Sequence, residues 1–241
     1  MTIYRRRATS SPMALRKSLE RREKGRRAVI AQRAHDETIF DVEDAQELQE
    51  LLNVQLTSAL PDSPAEAEAE LRQVQNLLER IEDLGGLDTK RDRVINWVKD
   101  LTVDGRSVLV FTSYADTMEY LRDAVLSAGV PVASYSGEGG SIRADGKWVT
   151  VAKEEVTAAL AAGKIRALVC TDAASEGLNL QAAGALINFD LPWNPSKVEQ
   201  RIGRIDHIGQ ALGVLPIVNL YLKDSVDQRV YRALAQRCGL F

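Results

Sequence analysis

Apolar residues in the first third of the chain recur at every third or fourth position, which is the spacing of one helix face. The pattern predicts a basic helix over residues 13–34 and a second helix over residues 43–59. Residues 63–66, Ser-Pro-Ala-Glu, form a capping box that opens a third helix. That helix ends at Gly85-Gly86, as expected for a left-handed cap. We therefore expect residues 1–86 to form an all-helical arm.

The pattern after residue 86 changes to short apolar runs that alternate with helical segments. The predicted strands are 107–111, 131–135, 165–170, 185–190 and 213–222. The predicted helices are 88–102, 115–128, 151–162, 195–205 and 225–237. Residues 136–149 are polar and rich in glycine, which indicates a loop. Alternation of this kind favours parallel βαβ units, so we expect an α/β domain with a parallel sheet flanked by helices over residues 87–241.

The amino-acid composition indicates which broad class of protein this chain belongs to. Hydrophobic residues make up 45% of the 241 residues and charged residues 27%, as in ordinary globular proteins. No apolar run approaches the roughly 20 residues that a membrane-spanning helix needs. The two cysteines, Cys170 and Cys238, have no disulfide or metal-ligand spacing. We expect Cys170 to lie in the core, no metal site, no membrane partner, and a reducing cytoplasmic location.

Charge is unevenly distributed along the arm. Residues 5–33 are rich in arginine and lysine, whereas residues 36–70 are rich in aspartate and glutamate. Two interpretations stay open: the basic stretch contacts phosphates, or it is a helix face paired with its acidic neighbour. A transit peptide is disfavoured, because the basic pattern is long and includes Glu20 and Glu23.

Polar side chains follow three of the predicted strands. They are Thr112, Ser113 and Tyr114 after the first strand, Thr171 and Asp172 after the third, and Asp190, Trp193 and Asn194 after the fourth. Ligands of open parallel sheets bind beyond the carboxyl ends of the strands. Hydroxyls and free helix N–H groups at such a position suit phosphates, although Ser113 and Asn194 are equally suited to cap helices.

The run over residues 171–210 carries the most specific motifs. It contains a Thr171-Asp172 pair, a Glu-Gly-Leu-Asn turn at 176–179, a Trp-Asn-Pro helix start, and Gln200-Arg201-x-Gly203-Arg204. These motifs resemble motifs V and VI of superfamily-2 helicases, most closely the Swi/Snf-type DNA translocases, and residues 108–114 resemble motif IV. The resemblance covers residues 88–225 and implies the second of two RecA-like lobes.

The resemblance also implies roles for individual residues. Motif IV and V hydroxyls hold the nucleic-acid backbone in the family, and motif VI arginines contact the phosphates of ATP. The nucleic-acid-binding residues implied here are Thr112, Ser113 and Thr171. The nucleotide-binding residues implied are Gly177, Asn179, Gln200, Arg201 and Arg204. We expect Arg204 first, and Arg201 second, to be the catalytic arginine that neutralises phosphoryl charge. Without the resemblance, pairing of these arginines with Glu199 or Asp206 is the simpler interpretation.

The first lobe of such a motor carries the nucleotide-binding loop and the acidic box, and we find neither motif in this sequence. Residues 140–148 resemble a phosphate loop, but they have one residue too many and end in Trp148, where Ser or Thr is required. The resemblance thus implies that ATP and Mg²⁺ are held mainly by a first lobe, supplied in cis or in trans. It also implies double-stranded DNA as the nucleic acid, and no hydrolysis by this chain alone.

One departure from the family pattern keeps a second function open. His207 stands where motif VI has another phosphate-contacting arginine, and neutral histidine provides no bidentate cation. The alternative is a non-catalytic module, derived from such a motor, that binds nucleic acid or protein. An unrelated nucleotide-binding domain is disfavoured, because no strand is followed by Gly-x-Gly-x-x-Gly.

The N-terminal residues carry a shorter resemblance. Residues 5–22 are similar to the helical segment between the lobes in bacterial relatives, the RNA-polymerase-recycling ATPases and helicases of phage-defence systems. This resemblance implies that Met1 lies just inside a longer ancestral protein and that residues 36–86 are an acidic helical insertion.

Overall fold

The computed structural model describes residues 2–34, 64–172, 180–192, 194–205 and 214–238. The described helices are α1 (Thr2–Ser10), α2 (Pro12–Ala34), α3 (Pro64–Asp83), α4 (Thr89–Thr102), α5 (Ala115–Ser127), α6 (Lys153–Ala161), α7 (Pro195–Ile202) and α8 (Val226–Cys238). The described strands are β1 (Val108–Thr112), β2 (Val132–Ser136), β3 (Gly139–Ala144), β4 (Lys147–Val151), β5 (Ala167–Thr171), β6 (Ala185–Asn188) and β7 (Ile217–Asn219). The predicted helix over 43–59 lies outside the described residues.

The chain divides into two compact units. One unit combines Met1–Ala14 with Asp88–Phe241, and the other is Leu15–Leu87. The sequence placed residues 1–14 in the arm, whereas their contacts group them with the sheet. No helix within the described ranges combines the length and apolar character that crossing a membrane requires.

The seven described strands form one sheet in the order β4-β3-β2-β5-β1-β6-β7. The pairs β2–β5, β5–β1, β1–β6 and β6–β7 are parallel. The expected parallel sheet flanked by helices is therefore confirmed over these five strands. The remaining two strands pair antiparallel and make the sheet mixed.

The prediction of a loop over residues 136–149 is wrong. This segment forms a hairpin of β3 and β4, joined at Asp145 and Gly146. Both turn residues have positive φ, 47° and 77°, as in the two-residue turns whose twist suits a hairpin. The Asp-Gly dipeptide was the signal for this turn, and the high glycine content obscured it. The phosphate-loop-like run lies in the same hairpin, which is not the strand–loop–helix arrangement of a phosphate loop.

Helices cover the central strands on both faces. Val108 and Val110 of β1 pack with α4 and α5 in one apolar cluster, whereas Leu109 and Phe111 pack with α6 in the other. Side chains alternate between the faces of a strand, so a strand covered on both sides must be apolar throughout. This burial explains why β1 and β5 are continuous apolar runs, and it confirms that Cys170 is in the core.

In the unit Leu15–Leu87, charged side chains connect the described helices α2 and α3. Arg26 Nε lies 2.7 Å from Glu70 Oε2, and Arg22 pairs with the same carboxylate. Arg16 Nη2 lies 3.3 Å from Glu82 Oε1. Arg16, early in α2, pairs with Glu82 near the end of α3, whereas Arg26, later in α2, pairs with Glu70 near the start of α3. The two helices are therefore antiparallel. For these three arginines, the structure shows pairing with acidic residues, one of the two interpretations left open.

Candidate functional site

Polar residues from the ends of four strands meet at one edge of the sheet. Parallel strands β1, β2, β5 and β6 end there, and the site is a cavity of about 680 Å³. Its lining includes the predicted Ser113, Tyr114, Thr171, Asp172, Asp190 and Asn194. It also includes residues that the sequence did not single out: Arg6, Ser136, Gly137, Glu138, Lys197 and Asp227. The carboxyl end of the sheet thus gathers the predicted groups, as expected for an open α/β fold.

The three predicted nucleic-acid contacts differ in accessibility. Ser113 is exposed, and Thr171 is buried but lines the cavity. Thr112 has no exposed surface, and its Oγ1 donates a 2.6 Å hydrogen bond to Asp190 Oδ2. The hydroxyls of Ser113 and Thr171 are therefore the ones placed at the cavity, whereas Thr112 supports its wall.

Asp190 binds groups from several parts of the chain. Its Oδ2 accepts hydrogen bonds from Ser10 Oγ at 2.8 Å and from the backbone N–H of Ser113 at 3.2 Å, in addition to Thr112. Its Oδ1 accepts from Lys90 Nζ at 3.1 Å, and the ammonium also lies 4.3 Å from the centre of the Phe189 ring. Because Lys90 is only 6% exposed, a buried cation neutralises this carboxylate from inside the protein.

Lys90 was missed by sequence reasoning, although a signal existed. Lys90, Val94 and Val98 are the buried residues of α4 and repeat at intervals of four. A lysine on the apolar face of a helix is rarely buried unless it is paired. This break in the apolar stripe was the available indication of a partner such as Asp190.

Arg201 lies inside the domain with 1% of its surface exposed. Its Nε donates to Asp172 Oδ1 at 2.7 Å, and its Nη1 donates to Asn188 Oδ1 at 2.8 Å and to the Asp190 carbonyl at 2.7 Å. The guanidinium also lies 5.1 Å from the centre of the Phe111 ring. These contacts connect α7 to the ends of β1, β5 and β6.

Arg204 is in a different situation from Arg201. Helix α7 ends at Ile202 rather than at the predicted residue 205, so the two arginines do not share one helix face. Arg204 is partly exposed, and its buried Nε has no hydrogen-bond partner within the described part of the chain. Gln200, which was also predicted to bind nucleotide, is exposed on α7.

Gly177 and Asn179, which were predicted to bind nucleotide, lie outside the described residues. Trp193 and His207 also lie outside them. Their predicted roles stay predictions.

The electrostatics of the cavity depend on the buried cations. Four carboxylates line it, but Asp172 is paired with Arg201, and Asp190 with Lys90. Lys90 Nζ also lies 3.6 Å from Asp227 Oδ2. Arg6 and Lys197 contribute cations to the lining, and burial raises the pKa of Tyr114. The internal pairs reduce the repulsion that a phosphate would otherwise meet.

The sheet order and the strand-end site define the chain as a RecA-like lobe of the superfamily-2 helicase type. The model for the helicase conserved C-terminal domain matches residues 89–209, half of the chain. The chain belongs to this family, and the resemblance seen in the sequence is confirmed.

Two relatives cover much of this chain. The uncharacterized ATP-dependent helicase YqhH of Bacillus subtilis is 36% identical over 154 residues, which is 64% of this chain and 25% of that protein. The RNA polymerase-associated protein RapA of Vibrio campbellii is 37% identical over 164 residues, which is 65% of this chain and 16% of that protein. The chain thus matches a quarter or less of the length of these relatives.

Solved structures share the fold. The C-terminal part of the Fun30 ATPase domain has a TM-score of 0.50 and 17% identity, over 90% of this chain and 84% of that one. The Hef helicase domain of Pyrococcus furiosus has a TM-score of 0.53 and 16% identity, over 92% of this chain and 38% of that one. At these identities the likeness concerns the fold alone.

Proposed function

We propose that this chain acts as the second lobe of an ATP-dependent DNA helicase or translocase. It works beside a first lobe that carries the nucleotide-binding loop and the acidic box, in the same polypeptide or in a separate one. The observation that carries the proposal is the strand-end cavity, where Ser113 and Thr171 line the wall beside carboxylates already paired with Arg201 and Lys90. A cytoplasmic place of action belongs to the same proposal.

We propose that nucleic acid binds at this cavity. The hydroxyls of Ser113 and Thr171 donate to backbone phosphates, and Lys197 and Arg6 add positive charge at the rim. Such contacts are independent of base sequence and position the track without reading it. Double-stranded DNA is the proposed track, on the basis of the likeness to Swi/Snf-type translocases. Thr112 acts on the nucleic-acid site indirectly, because its hydroxyl donates a hydrogen bond to Asp190.

Nucleotide contact is assigned to Arg204. Its side chain is partly exposed, and a planar guanidinium binds phosphate oxygens with two parallel hydrogen bonds. Arg201 suits this role less well, because Nε and Nη1 are engaged inside the domain. Gly177, Asn179 and Gln200 are proposed to complete this side, while ATP and Mg²⁺ are held mainly by the first lobe.

The test is an ATPase assay with and without a first lobe, such as that of the B. subtilis relative, with which the chain shares 36% identity. Alone, the chain is expected to hydrolyse no ATP. With the first lobe and duplex DNA, turnover should appear. Arg204→Ala should then lower kcat by about three to five orders of magnitude, the effect of removing such an arginine in related NTPases.

Arg93→Ala is the matched control, since Arg93 is an exposed arginine on α4 that is not among the residues lining the cavity. It should leave kcat unchanged. ATP turnover by the pure chain that Arg204→Ala abolishes, or full activity of the complex carrying Arg204→Ala, would contradict the proposal.

A second candidate function rests on His207, which replaces the further arginine of motif VI. In that case the chain is a non-catalytic module that binds nucleic acid or protein. The same assay separates the two: DNA binding that persists while no first lobe restores ATP hydrolysis favours the module.

A further inference from the structure

Helix α1 is attached to the site by a buried polar cluster. Ser10 Oγ lies 2.9 Å from Thr117 Oγ1 and donates to Asp190 Oδ2 at 2.8 Å. The backbone carbonyl of Thr9 accepts a 2.8 Å hydrogen bond from Lys90 Nζ, and Thr9 Oγ1 donates to Asp227 Oδ1 at 2.9 Å. Segments distant in sequence thus share one hydrogen-bonded cluster.

Two members of this cluster, Asp190 and Asp227, line the cavity, and Asp190 is the one that connects Ser10 to Ser113 through a single oxygen. The same oxygen, Oδ2, accepts from Ser10 on one side and from Thr112 and the Ser113 N–H on the other. Ser10 is 2% exposed and Asp190 7%, so water replaces a lost partner poorly. Removing the Ser10 hydroxyl would leave Asp190 with one donor fewer, less neutralised and less constrained, beside the hydroxyl of Ser113.

We propose that Ser10 is a positioning residue of the nucleic-acid site, acting through Asp190 on the backbone of Ser113. Helix α1 is then a working part of the site, although it lies about a hundred residues before the strands in the sequence. The proposal rests on the proposed function, because the consequence is weaker binding of DNA phosphate at Ser113.

The neighbouring serine provides a matched control. Ser11 is 1% exposed, its Oγ lies 2.9 Å from Thr117 Oγ1, and the same oxygen accepts from the backbone N–H of Ala14, which caps α2. Its side chain has no hydrogen bond to Asp190 in the described structure. Ser11→Ala therefore loosens the junction of α1 and α2 at least as much as Ser10→Ala, but it leaves the carboxylate untouched.

The first measurement is DNA affinity of the full chain, followed by the anisotropy of a fluorescein-labelled duplex at fixed low salt. Ser10→Ala should raise Kd roughly 5- to 10-fold, which matches the net strength of about one ordinary hydrogen bond. Ser11→Ala should raise it less than about 2-fold. In the Ser10→Ala/Ser113→Ala double variant the losses should not add, because both act at the same contact.

The second measurement does not depend on DNA. Amide hydrogen exchange at Ser113, followed by NMR in the full chain, reports the N–H that Asp190 accepts. Ser10→Ala should speed this exchange about 10-fold relative to wild type, and Ser11→Ala should leave it unchanged.

The outcomes separate the two proposals. Wild-type Kd and wild-type exchange for Ser10→Ala, or equal effects of Ser10→Ala and Ser11→Ala, overturn the positioning role. If the wild-type chain fails to bind DNA, the proposed function fails, and the exchange at Ser113 still decides whether Ser10 positions the site.

Discussion

Arg201 is bound to Asp172 inside the domain by two nitrogens that approach one oxygen. Nε lies 2.7 Å from Asp172 Oδ1, and Nη2 lies 2.6 Å from the same atom in ion-pair contact. Asp172 is the residue that follows β5, and Arg201 lies near the end of α7. The pair therefore fixes α7 to the end of β5, and it neutralises one of the carboxylates that line the cavity.

Arg201→Ala should destabilise the domain, whereas Arg204→Ala should not. Removing Arg201 leaves Asp172 and the amide oxygen of Asn188 without their cationic partner, and breaking such a buried pair costs about 3–5 kcal/mol. The Nε of Arg204 has no hydrogen-bond partner among the described residues, so removing this side chain should change the free energy of unfolding by no more than about 0.5 kcal/mol. Urea unfolding at neutral pH, followed by circular dichroism, measures both changes.

Equal stability of these two variants would contradict this assignment. Arg201→Lys is a useful third variant, because it keeps the charge but loses the fork that reaches Asp172 and Asn188 together. Its free energy of unfolding should lie between those of the wild type and Arg201→Ala.

Gly140→Ala should destabilise the hairpin for a steric reason. A Cβ at this position would lie 2.4 Å from Val156 Cγ2 and 3.1 Å from the Val151 carbonyl oxygen. Overpacking of this kind lowers the free energy of unfolding by about 1–3 kcal/mol. The measurement is again the urea midpoint.

A second substitution that makes space for the new methyl group tests whether steric overlap causes the loss of stability. In Gly140→Ala/Val156→Ala the clash is removed, so the double variant should be less destabilised than the sum of the single variants. Gly25→Ala serves as the control, because Gly25 lies within α2 with nothing within 4 Å of its added Cβ, and it should gain roughly 0.5–1 kcal/mol. Strict additivity in the first pair would refute the steric explanation.

Stability should fall at high pH through Tyr120. Burial raises the pKa of Tyr120 from 10.0 to about 12, so the unfolded chain loses this proton first as pH rises. The stabilising contribution is complete below pH 10 and is lost as pH approaches 12. Tyr120→Phe lacks this titration. The wild-type advantage over Tyr120→Phe in urea unfolding should therefore shrink between these pH values, and a constant difference would disprove the effect.

Cys170 should react with thiol reagents only when the domain opens. The side chain is fully buried in β5, and burial raises the pKa of its thiol well above the ordinary value. The reactive thiolate is therefore scarce and inaccessible. In Cys238→Ser, which leaves Cys170 as the only cysteine, labelling by a chromogenic disulfide should be slow in buffer and complete in urea. Rapid labelling of the native variant would exclude this burial.

Part of the fold was predictable because its signals are local. The helical spacing over residues 13–34 corresponds to α2, and the apolar runs at 107–111 and 165–170 correspond to β1 and β5. Side-chain periodicity reports which faces are buried without knowledge of the partner. The β3–β4 hairpin escaped prediction, because its glycine-rich strands lack strong apolar alternation and only the Asp145-Gly146 turn marked it.

The sequence by itself determined the alternation of helices with strands β1, β2, β5, β6 and β7, the family, and the polar residues that follow the strands, because each depends on residues close together in the chain. Only the tertiary structure decided that Arg201 points inward to Asp172, 29 residues away, and that Ser10 reaches Asp190, 180 residues away. The physical reason is that a side chain's role depends on its burial and its partners. Sequence spacing alone does not determine which distant residue completes a buried charge.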